Sequence, residues 1–333
     1  MRAWRVRELG EPTDVLRLED DVPAPEPGPK QIAVEVATCA LNFPDALLCR
    51  GAYQERPPLP FSPGLEVAGR IVGLGPGAEQ RGLQIGQRVA AQPALRDGHG
   101  GLAERTVVPM ANAHPIPDSL TDEAAAALLV IYQTGISALA QRANLQAGET
   151  LLVHAGAGGV GSAAIQLGLA MGATVIATAG GAEKVEVCRS LGAHHVIDYK
   201  ATDFAEAVNE ITGGRGADVI YDPVGGDVYD RSTKCIAWEG RILVIGFAGG
   251  RIAQAQTNHV LVKNYSVVGV HWGNYRRFDP AKVDAWHDDL MAMHERGQIA
   301  PLVSEVVAMT DVPDRLMAIT NRGTTGKVVV RVS

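Results

Sequence analysis

Hydrophobic and polar positions follow two different rhythms along the chain. Over residues 1 to about 125 the runs are short. Gln31-Ile32-Ala33-Val34-Glu35-Val36 alternates, Gly69-Arg70-Ile71-Val72-Gly73 follows, and Pro57-Pro58 and Gly75-Pro76-Gly77 mark turns. This texture predicts an all-β unit, an irregular barrel, which Gly86-Gln87-Arg88-Val89 and Gly100-Gly101-Leu102-Ala103-Glu104 continue. Near residue 121 the rhythm changes. Thr121-Asp122-Glu123 offers a helix cap ahead of an Ala-rich run over 124–129. Beyond it, apolar strands at 151–154, 174–178, 195–197, 217–221, 241–245 and 265–271 alternate with helical stretches such as 162–171 and 184–191. Strands apolar throughout and separated by helices predict a parallel sheet covered on both faces. A long helix over 280–296 and a strand over 327–332 close the chain, and the tail is expected to return to the first domain.

Composition narrows the class. A chain of 333 residues exceeds one core and suits two domains. With 46% hydrophobic and 20% charged residues it reads as an ordinary globular protein. A net charge of −7 without a long Lys/Arg run argues against nucleic acid or an anionic membrane as partner. No apolar stretch is expected to approach the roughly 20 residues that span a bilayer, and Met1-Arg2-Ala3-Trp4-Arg5-Val6 lacks the apolar block of a signal peptide. Cys39, Cys49, Cys188 and Cys235 lie far apart, the pattern of free thiols in a reducing compartment; the expected location is the cytoplasm.

The strongest local signal is His154-Ala155-Gly156-Ala157-Gly158-Gly159-Val160-Gly161, between a predicted strand and a predicted helix. Gly156, Gly158 and Gly161 satisfy G-x-G-x-x-G: the first for the tight turn, the second for close approach of backbone to a pyrophosphate, the third for helix packing on strand. The helix N-terminus then offers free N–H groups to the anion. Where an NAD-selective protein carries an acid about 20 residues on, this chain has Thr178-Ala179-Gly180-Gly181, with Lys184 on the next helix. Absence of the acid removes the main obstacle to a 2′-phosphate, and NADPH is the expected dinucleotide.

Several segments resemble the quinone oxidoreductase branch of the medium-chain dehydrogenase/reductase superfamily. They are Leu41-Asn42-Phe43-Pro44-Asp45, Arg50-Gly51-Ala52-Tyr53, Pro63-Gly64-Leu65-Glu66-Val67-Ala68-Gly69, the glycine loop, Val196-Ile197-Asp198-Tyr199, Tyr221-Asp222-Pro223-Val224-Gly225-Gly226 and Gly326-Lys327-Val328-Val329. The resemblance implies an α/β protein with a GroES-like β-barrel catalytic domain (1–124, completed by 273–333) and a Rossmann cofactor domain (125–272), with nicotinamide in the cleft between them. It also implies a homodimer through the Rossmann sheet edge at residues 267–271. Carried over position by position, Lys184, Tyr199 and Arg322 would surround the 2′-phosphate beside Gly181. Thr134 would lie near the nicotinamide, and Gly246 and Phe247 would flank the cofactor.

Zinc-dependent relatives place a Cys and a His where this chain has Asn42 and Leu65, and the four-cysteine structural lobe is missing. Leu65 is no ligand and Asn42 a poor one, so no metal is expected. Glu66 and Asp45 read as structural, and Cys39 and Cys49 as packing thiols. Without a Lewis acid the remaining chemistry is reduction of an acceptor already electron-poor: a quinone first, an enone, 2-alkenal or enoyl thioester as the alternative. Asn42 and Tyr53 are the candidate polar groups at the reacting centre, with either Tyr53 or water supplying the proton. A non-enzymatic, crystallin-like protein that binds NADPH, serving structurally or binding RNA, is the competing class.

Overall fold

The computed structural model describes residues 1–332. In chain order the barrel strands are β1 (Ala3–Val6), β2 (Leu16–Glu19), β3 (Gln31–Ala40), β4 (Glu66–Leu74), β5 (Arg88–Ala91), β6 (Arg105–Pro109) and β7 (Ala113–Pro115). Next come β8 (Thr150–Val153), β9 (Thr174–Ala179), β10 (His195–Asp198), β11 (Ala217–Asp222), β12 (Ile236–Val244) and β13 (Ser266–Gly269). The chain closes with β14 (Val303–Ala308) and β15 (Lys327–Arg331). Two compact units result, Met1–Val130 with the stretch from Pro301 onward, and Ile131–Ala300.

In the first unit β14-β15-β3-β4-β5-β7 form one sheet, with β6 on β3. The returning tail is secured where β15 pairs antiparallel with β3, Val329 opposite Ala40. Alternation along β3 sends Ile32, Val34 and Val36 into a core shared with Phe61, Val67 and Val330. The structure departs from the expected all-β pattern at two places. Residues 100–104 make only an isolated bridge, Ala3 to Ala103, before β6 begins. The all-β texture also hides a helix, Phe43–Cys49, opened by a capping box between Asn42 and Asp45 with Pro44 in the first turn.

The second unit carries a six-stranded sheet in the order β10-β9-β8-β11-β12-β13, parallel throughout. This is the doubly wound arrangement whose order reverses between its first and fourth strands, here β8 and β11. Residues 273–300 pack with this unit rather than with the barrel, where the sequence reading had grouped them. Gln133 Nε2 donates to Val283 O at 3.4 Å, Gln166 Nε2 donates to Ala300 O at 2.9 Å, and Ala300 N–H donates back to Gln166 Oε1. Val283, Trp286 and Leu290 turn the buried face of the helix Pro280–Glu295 inward. The Ala-rich helix is longer than expected. It runs over Asp122–Ile136, with the Thr121 hydroxyl capping Ala124 N–H at 3.2 Å, and continues as a π-turn to Arg142. Its 21 residues are long and apolar enough to cross a membrane by composition alone, and 78% of the apolar window is buried within protein, as in a core helix.

Candidate active site

The glycine loop follows β8 and opens the helix Gly159–Ala170. Gly156 N–H donates to Thr178 O at 2.9 Å, tying the turn to β9. A Cβ at Gly156 would meet Cys188 Sγ at 2.8 Å, and one at Gly161 would lie 2.2 Å from Ala155 O. Tight turning and close helix–strand packing therefore demand glycine at both. Gly158, by contrast, meets only Ala155 O at 3.3 Å, and it heads the helix whose first-turn N–H groups lack intrahelical partners.

His154, just before the loop, is locked from both sides. Ser232 Oγ donates to Val228 O at 2.7 Å, so it accepts from His154 Nε2 at 2.9 Å, leaving Nδ1 to accept from Thr178 Oγ1 at 3.0 Å. Burial, helped by Arg231, pushes its pKa down to about 3. The neutral ring is a bolt between β8, β9 and the helix Asp227–Ser232.

The end of β9 shows why no acid stands there. A Cβ on Gly180 would come within 2.5 Å of Tyr199 Oη and 2.6 Å of its ring. Gly181 turns with φ 94°, and its N–H donates to Asp198 Oδ1, which also accepts from Lys200 N–H, both at 3.0 Å. These backbone donors hold the Asp198 carboxyl below its usual range. Lys184 lies in the first turn of the helix Ala182–Ser190, and Lys200 Nζ stands 4.0 Å from the Cβ position of Gly181. The structure thus gathers Gly181 and Tyr199, with Lys184 one turn on, and adds Asp198 and Lys200. Asp198 belongs to the Val-Ile-Asp-Tyr segment and Lys200 follows it, and neither carries a motif signal of its own. Arg322 belongs to the barrel unit, exposed at φ 58° after the helix Val312–Thr320.

Beyond β11, Asp222 Oδ1 accepts from Val224 and Gly225 N–H at 2.8 and 2.9 Å, and burial raises its pKa. Beyond β12, Ala248 and Gly249 N–H donate to Pro223 and Val224 O, stitching the two loops together. Gly246 and the exposed Phe247 therefore lie at the same C-terminal sheet edge as the glycine loop, where open α/β sheets bind ligands. Thr134 is half-buried on the long helix, its carbonyl accepting from Ser137 Oγ.

In the barrel, Asn42, Asp45 and Glu66 form a closed polar cluster around Lys327. Lys327 Nζ donates to Leu41 O at 2.8 Å, Asn42 Oδ1 at 2.6 Å and Glu66 Oε1 at 2.8 Å. The two side chains of this ion pair are 4% and 0% exposed. Asn42 Nδ2 donates to Ala40 O and Glu66 Oε1, so both amide hydrogens are used inside the domain. Glu66 Oε2 accepts from Val130 N–H at 2.7 Å. Asp45 Oδ2 accepts from Asn42 N–H and Oδ1 from Gly64 N–H, joining the Asn42 turn to the segment that carries Leu65; burial pushes its pKa up to about 7. Leu65 is buried in the barrel core and Tyr53 packs half-buried against it. All four cysteines are free and buried.

Barrel and doubly wound sheet together define the class: a medium-chain dehydrogenase/reductase, with a GroES-like domain ahead of a Rossmann domain. Family models agree, Alcohol dehydrogenase GroES-like domain over residues 28–118 and Zinc-binding dehydrogenase over residues 159–288. The quinone oxidoreductase-like protein 2 homolog of Nematostella vectensis is 38% identical over 99% of this chain and 88% of its own length. Quinone oxidoreductase of Pseudomonas syringae superposes with a TM-score of 0.90 at 31% identity over 99% of both chains. Escherichia coli quinone oxidoreductase complexed with NADPH gives 0.89 at 27% identity, over 99% of this chain and 100% of that one. The chain belongs to the quinone oxidoreductase branch of this superfamily.

Proposed function

We propose that this protein is an NADPH-dependent quinone reductase that works without zinc. The observation that carries this reading is the cation held by Glu66: the ammonium of Lys327, in the cluster where zinc-dependent relatives bring their metal ligands. The donor set does not fit zinc. Leu65 offers no ligand atom, Asn42 Oδ1 accepts from an ammonium, and both Glu66 oxygens accept hydrogen bonds. Lewis-acid polarisation of an alcohol oxygen is thus not the chemistry these residues support.

The cofactor fits. The Cβ-free cradle at Gly156 and Gly161 and the first turn at Gly159, Val160 and Gly161, after Ala157 and Gly158, suit a pyrophosphate. The anionic 2′-phosphate suits Lys184, Lys200 and the Tyr199 hydroxyl, and Tyr199 over Gly180 leaves no room there for an acidic side chain, while the Asp198 carboxylate is occupied by the N–H groups of Gly181 and Lys200. Thr134 is assigned to the nicotinamide end, and Gly246 and Phe247 flank the cofactor in this reading. NADPH, when bound, supplies the hydride equivalent. Asn42 is a positioning residue in this account, because its amide hydrogens are committed to Ala40 and Glu66. Tyr53 is the candidate to hand a proton to the reduced acceptor.

NADPH oxidation with a quinone panel, run beside 2-alkenals and enoyl-CoA, tests the reading. Quinone-dependent turnover is expected. Turnover with alkenes alone would move the assignment to an enone or enoyl-thioester reductase, and failure to bind NADPH would end the enzymatic reading. We also propose the homodimer at β13, an edge strand whose one ladder partner among the described residues is β12, beside the exposed Leu261, Val262 and Val267.

A further inference from the structure

One buried carboxylate joins two segments that the proposed function assigns to the reacting centre. Glu66 opens β4 and is fully buried. Its Oε1 accepts from Asn42 Nδ2 at 2.9 Å and pairs with Lys327 Nζ at 2.8 Å. Asn42 caps the helix Phe43–Cys49, and Tyr53 follows shortly beyond that helix. The other oxygen, Oε2, accepts from Val130 N–H at 2.7 Å.

Val130 lies inside the helix Asp122–Ile136, where the chain leaves the first unit, and Thr134 stands one turn further along the same helix. A mid-helix N–H ordinarily serves the carbonyl four residues back. A short, charge-assisted bond from such a group to a carboxylate fixes the helix in height and rotation at that point. The start of the helix is fastened as well, with Thr38 Oγ1 donating to Asp122 O at 2.8 Å and Arg88 Nη2 to Asp122 Oδ1 at 2.6 Å. Further on, a Cβ at Gly135 would lie 2.5 Å from Leu167 Cδ1, so the same helix packs closely on the one that opens at the glycine loop. Stability is a weak reason for such a carboxylate, since apolar residues of similar volume often replace a buried ion pair without loss; fixing register is the better-attested use.

We propose that Glu66 is a positioning residue for hydride transfer, its two oxygens setting the segment from Asn42 to Tyr53 and the Thr134 helix in one register. The roles of Tyr53 and Thr134 here rest on the function proposed above.

Two double variants that differ in one respect test this. Glu66→Gln/Lys327→Met removes both charges and keeps a side-chain oxygen for Val130 N–H, whereas Glu66→Met/Lys327→Met removes the charges and the oxygen. Valine-labelled NMR reads the Val130 amide, and the emission of bound NADPH reads the surroundings of its nicotinamide. The NADPH dissociation constant should stay within about threefold in parent and variants, because the phosphate-binding residues are untouched. The Val130 amide resonance should move upfield, and the bound emission change, only in the methionine variant. There kcat with a quinone should also fall about tenfold or more, with a larger isotope effect from deuterated NADPH. A parent that binds NADPH but reduces no quinone would sink the quinone reading, while amide and emission still decide this one; a parent that binds no NADPH would end both. Emission and turnover equal in the two double variants, or a Val130 resonance indifferent to loss of the oxygen, would overturn the proposal. Should the methionine variant fail to fold, the glutamine variant decides: Val130 resonance and emission both kept would support the proposal, and resonance kept with emission lost would overturn it.

Discussion

Replacing Lys327 with Met probes the polar cluster most sharply. Methionine keeps the length and apolar stem but removes three N–H donors, to Leu41 O, Asn42 Oδ1 and Glu66 Oε1. It leaves the Glu66 carboxylate, 0% exposed, with Asn42 and Val130 as its remaining donors. Breaking a buried pair from one side costs about 3–5 kcal/mol, because the surviving charge is uncompensated. At roughly 2–4 °C per kcal/mol for a unit of this size, the melting temperature should fall by roughly 6–20 °C. The double variant Lys327→Met/Glu66→Gln removes both charges and should recover at least half of the loss, a coupling of about 2 kcal/mol or more. Urea unfolding at neutral pH, with the four proteins compared in one cycle, gives the numbers. A cost below about 1 kcal/mol for Lys327→Met, or strictly additive single variants, would refute the view that the ammonium neutralises Glu66.

Other expectations follow from single contacts. His154 has its pKa lowered to about 3 from 6.5, so its contribution is full above pH 6.5 and is lost as pH falls through that window. Between pH 6.5 and 5 the loss should be about 2 kcal/mol, and His154→Gln should lack that slope in urea titrations; equal slopes would show that the ring is not held neutral. Gly180→Asp must displace Tyr199 and adds a carboxylate, so the NADPH dissociation constant measured by fluorescence should rise at least about tenfold. Lys200→Ala should weaken NADPH by roughly tenfold while leaving NADH nearly unchanged; equal losses for both cofactors would remove Lys200 from the 2′-phosphate. A lysine at Val267, on the exposed edge strand β13, should give monomers in sedimentation velocity if that edge is the dimer seam, and an unchanged sedimentation coefficient would move the seam elsewhere.

Local chemistry made much of this fold readable. The glycine loop, the Thr121 cap and the apolar strands of the second unit announce themselves within a few residues, because turn, cap and buried strand are short-range demands. The helix Phe43–Cys49 had such a signal too, Asn42 with Asp45 three positions on, but it was masked by the surrounding strand-like texture. Long-range partnerships left no comparable trace. Lys327 reads as the first residue of a strand, and its bond to Asn42 spans 285 positions. The same holds for residues 273–300, whose place is set by Gln166 across 134 positions. Asn42 shows what geometry adds to motif reading: the motif marks it as a candidate polar group at the reacting centre, and its amide hydrogens prove to be spent inside the barrel.

The central claim, NADPH-linked quinone reduction without a metal, is tested most directly by turnover of metal-analysed protein. Quinone-dependent NADPH oxidation should be unchanged after exhaustive chelation, in protein whose zinc content is far below one per chain, and added zinc should not raise it. Activity that disappears on chelation and returns in proportion to bound zinc would contradict the account.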